Sequence, residues 1–345
     1  MPNTETIASL GENLSLKRII ERLRKPADDA SPVLVGPGDD AAVLAAPDGR
    51  FCVTTDTMVE GHDFRLEWSS AFDLGWKAVA TNVSDVAAMG AVPTSLVIAI
   101  GVPGTTEVHW LERLVDGANA ACEALAPTCF VVGGDLAASS NIFIAVTAFG
   151  DLQGREPVLR SGAKVGDVVA VGGTLGRAAC GLALLQSGNA DAINTWDDWV
   201  NTQRRPEPPV ELGVLAATAG ATSMLDVSDG LAKDAARIAK ASAVSLALSR
   251  QALQGYEAVL EGAASWIDAD AFAWVLGGGE DHSLLATFAA DATLPRGFKR
   301  IGEVISREAA AAIASACAEQ QTAGGVDVLL DGVALAELGW DSVSG

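Results

Sequence analysis

The chain has 345 residues, of which 44 are acidic and 23 are basic, so its formal net charge is −21 at pH 7. This charge excludes the basic surface by which proteins bind nucleic acids or anionic membranes. Apolar residues make up 49% of the chain, yet no apolar run reaches the roughly 18 residues of a membrane span. The first residues lack the basic and apolar segments of a signal peptide. We therefore expect a cytoplasmic protein with two domains and a sizeable core.

The cysteines are scattered along the chain and show no Cys-x-x-Cys spacing. This pattern speaks against structural zinc and against a disulfide framework. We expect reduced thiols in the core, at Cys52, Cys122, Cys129, Cys180 and Cys317.

The N-terminal part begins with helical spacing over residues 9–25, followed by a loop rich in Pro and Asp. The next stretch, 38–63, contains two short apolar runs, AAVLAA and FCVTT, whose boundaries and β-branched residues predict strands. Acidic residues surround these runs: Asp39, Asp40, Asp56, Glu60 and Asp63. Carboxylates at strand ends and in the loops beyond them suit hard cations. The spacing Gly36-x-Gly38-x-x-Ala41 does not indicate a dinucleotide site, because a strand rather than a helix follows it.

Residues 70–91 predict a helix that carries Asp85 on one face. Val79, Val83 and Val86 would face the core, and Asp85 would point towards the acidic stretch. A solvated position on the helix surface is the alternative for Asp85.

The rest of the first half alternates between strands and helices. Residues 94–103 predict a buried strand, and a helix is expected from Glu107 to Leu125. In the following segment, CFVVGGDLAASS, we expect a strand and then a turn at the Gly pair, which lets backbone approach a ligand. Asp135 would stand at the end of that strand. Residues 141–152 predict a further strand.

The segment from Pro157 to Gly166 is expected to join the two halves, and it carries the cations Arg160 and Lys164. A solvated loop is the alternative interpretation of these two cations. A second alternation of strand and helix begins at residue 167. The polar segment Gly188–Pro209 is expected to be an exposed connector.

Two acidic turns follow in the second half. The first joins a strand to a helix and contains Asp226, Ser228 and Asp229. A helix cap needs fewer acidic residues than this turn contains. The second is rich in Gly and presents Glu280 and Asp281 before another strand. An Ala-rich helix, a hairpin near residues 326–335 and a tail with a Trp at position 340 complete the chain.

These segments form an ordered series of motifs: GDDAAVL, TTDTMVEG, NVSDVAAMGA, VVGGDL, LRSGAKVGD, DVSDGL and GGGED. In this order and at these distances, the series resembles the thiamine-monophosphate kinase family, within the aminoimidazole-ribonucleotide-synthetase-like superfamily of ATP-binding enzymes. The resemblance runs from about Gly36 to Trp340. A single Gly-Asp-Asp would be uninformative, whereas the ordered series is highly specific. The Walker A motif and the signatures of protein kinases do not occur in the sequence.

The resemblance implies ATP-dependent phosphorylation of thiamine monophosphate to thiamine diphosphate, with several Mg²⁺ ions. It implies an α/β (α+β) fold with an N-terminal ATP- and Mg-binding, dimerisation domain at 1–152. The C-terminal domain, 153–345, would be an α/β sandwich. It also implies a homodimer in which the N-terminal sheets of two copies pair into a barrel, with nucleotide bound near the interface.

The resemblance also implies roles for individual residues. The metal ligands would be Asp40, Thr54, Thr55, Asp56, Asp85, Asp135, Asp226 and Asp229. The ATP contacts would be Gly134, Asp135, Arg160 and Ser228. The substrate contacts would be Asp63, Glu280 and Trp340. Asp56, Asp135 and Arg160 would carry the catalysis.

The sequence departs from the family pattern near the predicted substrate contact. Many members have His-Phe where this chain has Asp63-Phe64, and His62 stands one position earlier. The substrate contact at this point therefore falls to either His62 or Asp63. The thiamine ring is a cation, so an acidic residue and the face of Trp340 would both suit it.

The chemistry implied by the resemblance suits this composition. Phosphoryl transfer needs positioning and charge neutralisation more than covalent chemistry. The acceptor is itself a phosphate with a second pKa of about 6, so no general base is required. The histidines, which number 3, are expected to be surface or strand-edge residues without a catalytic role. Arg160 would bind the transferring group through a bidentate contact.

Other functions are compatible with parts of the pattern. Selenide water dikinase, aminoimidazole ribonucleotide synthetase and the hydrogenase-maturation dehydratase share the superfamily, but the first and third need a reactive Cys that this chain lacks at the corresponding places. A catalytically silent nucleotide-binding dimer is an alternative of a different class. A generic acidic metal-binding protein would leave the ordered Gly turns unexplained.

Overall fold

The computed structural model describes residues 5–24, 32–35, 42–317, 326–335 and 339. The chain divides into two compact units, the first formed by 1–86 and 91–154 and the second by 87–90 and 155–345. Asp40 and Trp340, which the sequence places in the metal and substrate sites, lie outside the described residues. In the described part of the chain, no helix combines the length and the apolar character that a membrane span requires.

The first unit contains a four-stranded sheet in the order β3-β6-β4-β5 and a small pair, β1-β2. Its elements are α1 (Ile7–Leu10), α2 (Glu12–Arg22), β1 (Val33–Val35), β2 (Val43–Leu44), β3 (Cys52–Val59), α3 (Ala71–Ala88), β4 (Val92–Val102), α4 (Val108–Leu125), β5 (Phe130–Ala138) and β6 (Phe143–Asp151). β3 and β6, and β6 and β4, are antiparallel, whereas β4 and β5 are parallel. The bounds of α3, β3, β4, α4 and β6 agree with the elements expected there, whereas the helix expected over 9–25 is divided into α1 and α2, and β1 lies in a segment expected to be a loop.

Helices α3 and α4 pack closely because each has a glycine at the contact. A Cβ atom on Gly75 would lie 1.9 Å from the carbonyl oxygen of Leu114, and one on Gly117 would lie 1.9 Å from that of Phe72. Val79, Val83 and Val86 are buried, as the helical spacing predicts. Val86 contacts the sheet at Gly150 of β6, where a Cβ would lie 2.3 Å from the valine methyl. One face of the sheet is therefore the core of this unit.

The opposite face of the sheet is more exposed within the unit. Along β3, burial alternates, and Val53 is 58% exposed. The ring of Phe51 packs against that of Phe149, the partner of Val53 on β6, with centroids 5.8 Å apart. This alternation follows from the pleat, which sends successive side chains to opposite faces.

The expected turn at Gly133-Gly134-Asp135 is wrong, because β5 continues through these residues to Ala138. The pairing with β4 shifts register between Leu96 and Val97. A Cβ on Gly134 would lie 2.1 Å from the carbonyl oxygen of Ile98. Gly134 thus allows close approach to the neighbouring strand at an irregularity, and Asp135 lies within the strand rather than at its end.

The second unit is built on a seven-stranded sheet in the order β13-β12-β9-β11-β7-β10-β8. Its strands are β7 (Val168–Gly172), β8 (Ser223–Val227), β9 (Ser245–Leu248), β10 (Ser283–Phe288), β11 (Phe298–Ile305), β12 (Val328–Leu330) and β13 (Val333–Ala334). Its helices are α5 (Arg177–Ser187), α6 (Ala190–Thr195), α7 (Asp197–Arg204), α8 (Val210–Thr218), α9 (Leu231–Ser242), α10 (Arg250–Ala258), α11 (Glu261–Trp266), α12 (Ala271–Gly277) and α13 (Arg307–Cys317). Every residue of β7, β8 and β10 is buried. Complete burial is expected of strands with both faces covered.

The expectation of an exposed connector at 188–209 is wrong. This segment forms α6 and α7, and Val200 and Gln203 of α7 are buried. A Cβ on Gly181 of α5 would lie 2.1 Å from the carbonyl oxygen of Trp199, so α5 and α7 are in close contact. The charged and Pro-rich flanks hide an amphipathic helix in which Trp196, Trp199, Val200 and Gln203 share one face at helical spacing.

Free thiols lie in the cores of both units. Cys122, Cys129 and Cys180 are buried and unbridged, and Cys52 is half-buried. The expectation of reduced core thiols is confirmed for these residues. The C-terminal hairpin is also confirmed, since β12 and β13 pair in antiparallel fashion.

Candidate active site

Strand β3 and helix α3 bring predicted metal ligands together in the first unit. Thr54 and Asp56 pair with Ala148 and Val146 of β6, which are buried on the α3 side of the sheet. The Thr54 hydroxyl donates to Oδ2 of the half-buried Asp85 at 2.7 Å. Asp85 therefore points from α3 towards β3, as the helix pattern predicts. The pleat of β3 places Asp56 on the same side of the sheet as Thr54.

Two other predicted ligands lie on the opposite face of this sheet. The Thr55 hydroxyl donates to the carbonyl oxygen of Val146 at 2.8 Å and accepts from Thr147 at 3.2 Å. Asp135 pairs with Ala99 on the same exposed face and is itself exposed. Within this unit, the sheet consequently separates the side chains of Thr55 and Asp135 from those of Thr54, Asp56 and Asp85.

The loop after β3 holds the two candidates for substrate contact in different ways. Oδ2 of Asp63 accepts from the backbone N–H of Val59 at 2.7 Å, which closes the turn at the strand end. Nδ1 of His62 lies 3.4 Å from Oδ1 of Asp63. The side chain of His62 is 42% exposed and that of Asp63 only 26%. Asp63 thus has a structural role in the turn, whereas His62 is the more accessible of the two.

In the second unit, Asp226 lies inside β8 and bonds to His282. The distance from Nδ1 of His282 to Oδ2 of Asp226 is 3.1 Å, and the imidazole is 3% exposed. His282 lies at the edge of β10, as expected, and is buried there rather than exposed. A buried imidazole needs a polar partner, and the carboxylate of Asp226 supplies one.

Asp229, in the turn after β8, is held by cations of α9. Its Oδ2 accepts from Arg237 and lies 3.3 Å from Nζ of Lys233. Asp234 is fully buried behind it and accepts from the backbone N–H groups of Asp229 at 3.0 Å and Gly230 at 3.1 Å. Burial raises the pKa of Asp234 to about 6. Sequence reasoning assigned no role to Asp234, although an acid one turn into a helix is placed to bind the N–H groups of the preceding loop.

The Gly-rich loop before β10 packs directly on the turn that contains Ser228. The backbone N–H of Glu280 donates to the carbonyl oxygen of Ser228 at 2.9 Å. A Cβ on Gly279 would lie 2.3 Å from that same oxygen. The glycine therefore permits this approach, and the predicted nucleotide residue Ser228 and the predicted substrate residue Glu280 lie on adjoining backbone.

Glu280 and Asp281 are each held by a different helix. Oε2 of Glu280 accepts from Nε2 of Gln203 on α7 at 2.8 Å. Asp281 is buried and accepts from the Thr174 hydroxyl at 2.8 Å and from the backbone N–H of Arg177 at 3.2 Å, at the start of α5. Burial raises the pKa of the Asp281 carboxyl. Asp281 is thus a cap for α5, and Gln203 is a contact of the candidate site that sequence reasoning missed.

Arg160 lies in the exposed segment that precedes β7. Its carbonyl oxygen accepts from the Ser242 hydroxyl at 3.0 Å. The same hydroxyl accepts from the backbone N–H groups of Gly162 at 3.0 Å and Ala163 at 3.2 Å. Ser242, at the end of α9, therefore fixes the backbone of this segment, in which Arg160 is exposed.

Across the described ranges, no group of three or more His, Cys, Asp or Glu side chains is arranged to hold a metal ion. Those predicted ligands that lie in the described ranges are divided among the α3 side of the first sheet, its exposed face, and β8 with the turn that follows it. The oxygen atoms of Thr54 and Asp85 are nonetheless within hydrogen-bond distance, and hard oxygen donors suit Mg²⁺.

Comparison with known proteins identifies relatives of this chain. Residues 38–152 match the model of the AIR synthase related protein, N-terminal domain. The chain is 44% identical over 303 residues to thiamine-monophosphate kinase from Mycobacterium tuberculosis, covering 87% of this chain and 86% of that protein.

Solved structures agree with this relationship. The thiamine-monophosphate kinase of Stenotrophomonas maltophilia K279a superimposes with a TM-score of 0.74 at 31% identity, covering 93% of this chain and 96% of that one. AaThiL complexed with AMPPCP and TMP gives a TM-score of 0.71 at 27% identity, with coverage of 98% and 99%. The chain therefore belongs to the thiamine-monophosphate kinase family.

Proposed function

We propose that this protein transfers the γ-phosphoryl group of ATP to thiamine monophosphate in one direct, in-line step, forming thiamine diphosphate and ADP. The proposal is supported by the 44% identity to a thiamine-monophosphate kinase over most of both chains. It is also supported by the similarity to a structure that holds AMPPCP and TMP. The observation in this chain that carries it is the hydrogen bond between the backbones of Glu280 and Ser228.

That bond joins the two loops that we propose to contact the two reactants. Ser228 is our proposed nucleotide contact, and Glu280 is our proposed contact for the thiamine portion of the acceptor. The two loops join at 2.9 Å between Glu280 N and Ser228 O. Their relative position is consequently set by the backbone. Fixed positioning of donor and acceptor is the main requirement of phosphoryl transfer.

We propose that Thr54, Asp56 and Asp85 hold Mg²⁺ in the first unit. Their donors are hard oxygens, and the structure already places the Thr54 and Asp85 oxygens 2.7 Å apart. When bound, Mg²⁺ would neutralise phosphate charge during the transfer. Asp40, Thr55, Asp135, Asp226 and Asp229 remain proposed ligands.

The proposed reaction requires no general base, and the histidines suit this. An ionised phosphate acceptor needs no deprotonation at neutral pH. His282 is buried against Asp226, and His109 lies on the surface of α4 with a side chain that is 70% exposed. We propose that Arg160 supplies the fixed cation on the transferring group, since guanidinium binds phosphate through paired donors.

We further propose a homodimer formed through the exposed face of the first sheet. Thr55 and Asp135 lie on this face together with the exposed Val53. Pairing of two copies there would cover apolar side chains and would bring Gly134 and Asp135 to an interface, where the nucleotide is expected. The cytoplasmic location stays a prediction from the sequence.

The test is to incubate the purified protein with ATP, Mg²⁺ and thiamine monophosphate and to identify the products by mass spectrometry. We expect equal amounts of thiamine diphosphate and ADP. ADP without thiamine diphosphate would indicate a different acceptor. No turnover of ATP would instead favour the catalytically silent nucleotide-binding dimer.

A further inference from the structure

Gln203 of α7 donates a hydrogen bond to a proposed substrate residue from a buried position. Its Nε2 lies 2.8 Å from Oε2 of Glu280, and the residue is 6% exposed. A carboxylate can only accept, so the amide must present its nitrogen to Glu280. The contact joins residues separated by 77 positions in sequence.

The donor is held rigidly because α7 is fixed against α5. Gly181 of α5 allows the backbone of α7 to approach at Trp199, where a Cβ would lie 2.1 Å from the carbonyl oxygen. The guanidinium of Arg177 lies 5.0 Å from the centre of the Trp199 ring. Val200, on the same face as Gln203, is buried. Gln203 therefore has little freedom to move away from Glu280.

Glu280 sits in a backbone conformation that requires such support. Its φ is +65° and that of His282 is +51°, in the left-handed region that costs energy for residues with a side chain. The neighbouring contacts over-determine this conformation. Glu280 N–H binds the Ser228 carbonyl at 2.9 Å, and His282 N–H binds that of Val227 at 3.1 Å. The Gln203 amide adds a contact to the side chain of Glu280.

We propose that Gln203 is a positioning residue that orients the Glu280 carboxylate towards the cationic thiamine portion of the acceptor. This inference rests on the proposed function and on the assignment of Glu280 to the substrate. A neutral amide directs the carboxylate without cancelling its negative charge, whereas Arg or Lys at the same place would neutralise it. The pair would accordingly set affinity for thiamine monophosphate and leave affinity for ATP unchanged.

The test is a double-mutant cycle in the full-length protein with Gln203→Leu, Glu280→Ala and the double variant. Gln203→Leu is expected to raise KM for thiamine monophosphate about tenfold, the effect of one lost hydrogen bond to a charged group. KM for ATP is expected to change less than about twofold on the same basis. In the Glu280→Ala background, Gln203→Leu is expected to have no further effect on KM for thiamine monophosphate. Gln186→Leu, at an exposed position on α5, is the matched control and is expected to match the wild type.

Each result of the cycle either supports or overturns the positioning role of Gln203. Equal increases in both KM values, or effects that add in the double variant, would overturn the role of Gln203 while the kinase activity stands. Wild-type protein that makes no thiamine diphosphate would instead refute the proposed function. If Gln203→Leu does not fold, as judged by thermal unfolding, Gln203→Glu replaces it. That variant has the same size but places a second acceptor opposite Glu280, so the same selective rise in KM is expected, and its absence overturns the inference.

Discussion

Thr54 on β3 donates a hydrogen bond of 2.7 Å from its hydroxyl to Oδ2 of Asp85 on α3, a residue 31 positions away in sequence. Asp56 follows Thr54 on the same side of the strand, since alternate side chains share a face. The bond therefore places oxygen atoms from a strand and a helix next to each other, on the side of the sheet where α3 packs. It also means that the Thr54 hydroxyl orients the Asp85 carboxylate.

Replacing Thr54 with Val should weaken Mg²⁺ binding without unfolding the protein. Val has the same shape but no hydroxyl, so Asp85 loses a bond worth about 1 kcal/mol and Mg²⁺ loses a proposed oxygen ligand. We expect the half-saturating Mg²⁺ concentration for turnover to rise about fivefold, whereas Thr54→Ser, which keeps the hydroxyl, should stay near the wild type. A Mg²⁺ titration of initial rates at saturating ATP measures this. Equal Mg²⁺ dependence for the Val and Ser variants would exclude the orienting role of Thr54.

Asp56→Asn should abolish thiamine diphosphate formation while the fold is retained. The amide keeps the size of the side chain but removes the charge that would bind Mg²⁺, and we expect a loss of at least about 100-fold in kcat, typical of a disrupted metal or transition-state contact. Glu123→Gln, an exposed charge removal on α4, is the matched control. Product formation should be followed by mass spectrometry together with thermal unfolding. Normal turnover of Asp56→Asn at saturating Mg²⁺ would refute its assignment as a ligand.

Local patterns were sufficient to predict β3, α3 and the direction of Asp85. The β-branched residues and boundaries of FCVTT and the helical spacing of Val79, Val83 and Val86 are local signals, which depend only on neighbours in sequence. Burial of these valines and the Thr54–Asp85 bond agree with that interpretation.

The errors occurred where a distant partner decides the local structure. The pair Gly133-Gly134 is compatible with a turn. However, Gly134 is needed within the strand because a Cβ there would lie 2.1 Å from the carbonyl oxygen of Ile98 on β4. The segment containing α7 is polar because most of its surface is solvated, and its one apolar face at helical spacing is buried by contact with α5. His282 and Gln203 form hydrogen bonds with Asp226 and Glu280, which lie 56 and 77 positions away in sequence. No periodic pattern encodes such pairs.

The pKa of Asp234 predicts a specific pH dependence of stability in the metal-free protein. Burial raises this pKa from an unfolded value of 3.8 to about 6. Below the unfolded value both states are protonated. Between the two values the folded state retains a proton that the unfolded state has lost, so the free energy of unfolding decreases as the pH rises. Above the folded value both states are ionised and the contribution is constant.

We therefore expect the free energy of unfolding of the wild type, minus that of Asp234→Asn, to fall by about 1–3 kcal/mol between roughly pH 4 and pH 6. Other titrating groups are common to both proteins and cancel in this difference. Urea unfolding across the pH range measures it. A difference that is flat or that increases with pH would contradict the buried, raised pKa of Asp234.

Asp281 should matter for stability more than an exposed helix cap does. Its buried carboxylate accepts from Thr174 and from the first N–H groups of α5, with Arg177 N at 3.2 Å and Ala178 N at 3.4 Å. Asp281→Ala would leave these buried and half-buried donors without their acceptor, and we expect a loss of about 2–4 kcal/mol. Asp270 caps α12 through Phe272 N at 2.9 Å in an exposed setting, so Asp270→Ala should cost only about 1 kcal/mol.

A comparison of Asp281→Ala with Glu280→Ala also separates the roles of the neighbouring acids in the GGGED segment. If Asp281 is structural and Glu280 binds substrate, Asp281→Ala should lower the temperature of unfolding with KM for thiamine monophosphate nearly unchanged at a temperature where the protein is folded. Glu280→Ala should raise KM for thiamine monophosphate and leave the temperature of unfolding nearly unchanged. A rise in KM for Asp281→Ala that equals the rise for Glu280→Ala would show that the cap on α5 and the substrate contact cannot be separated. The loop would then act as one rigid unit whose two acids serve both the fold and the site.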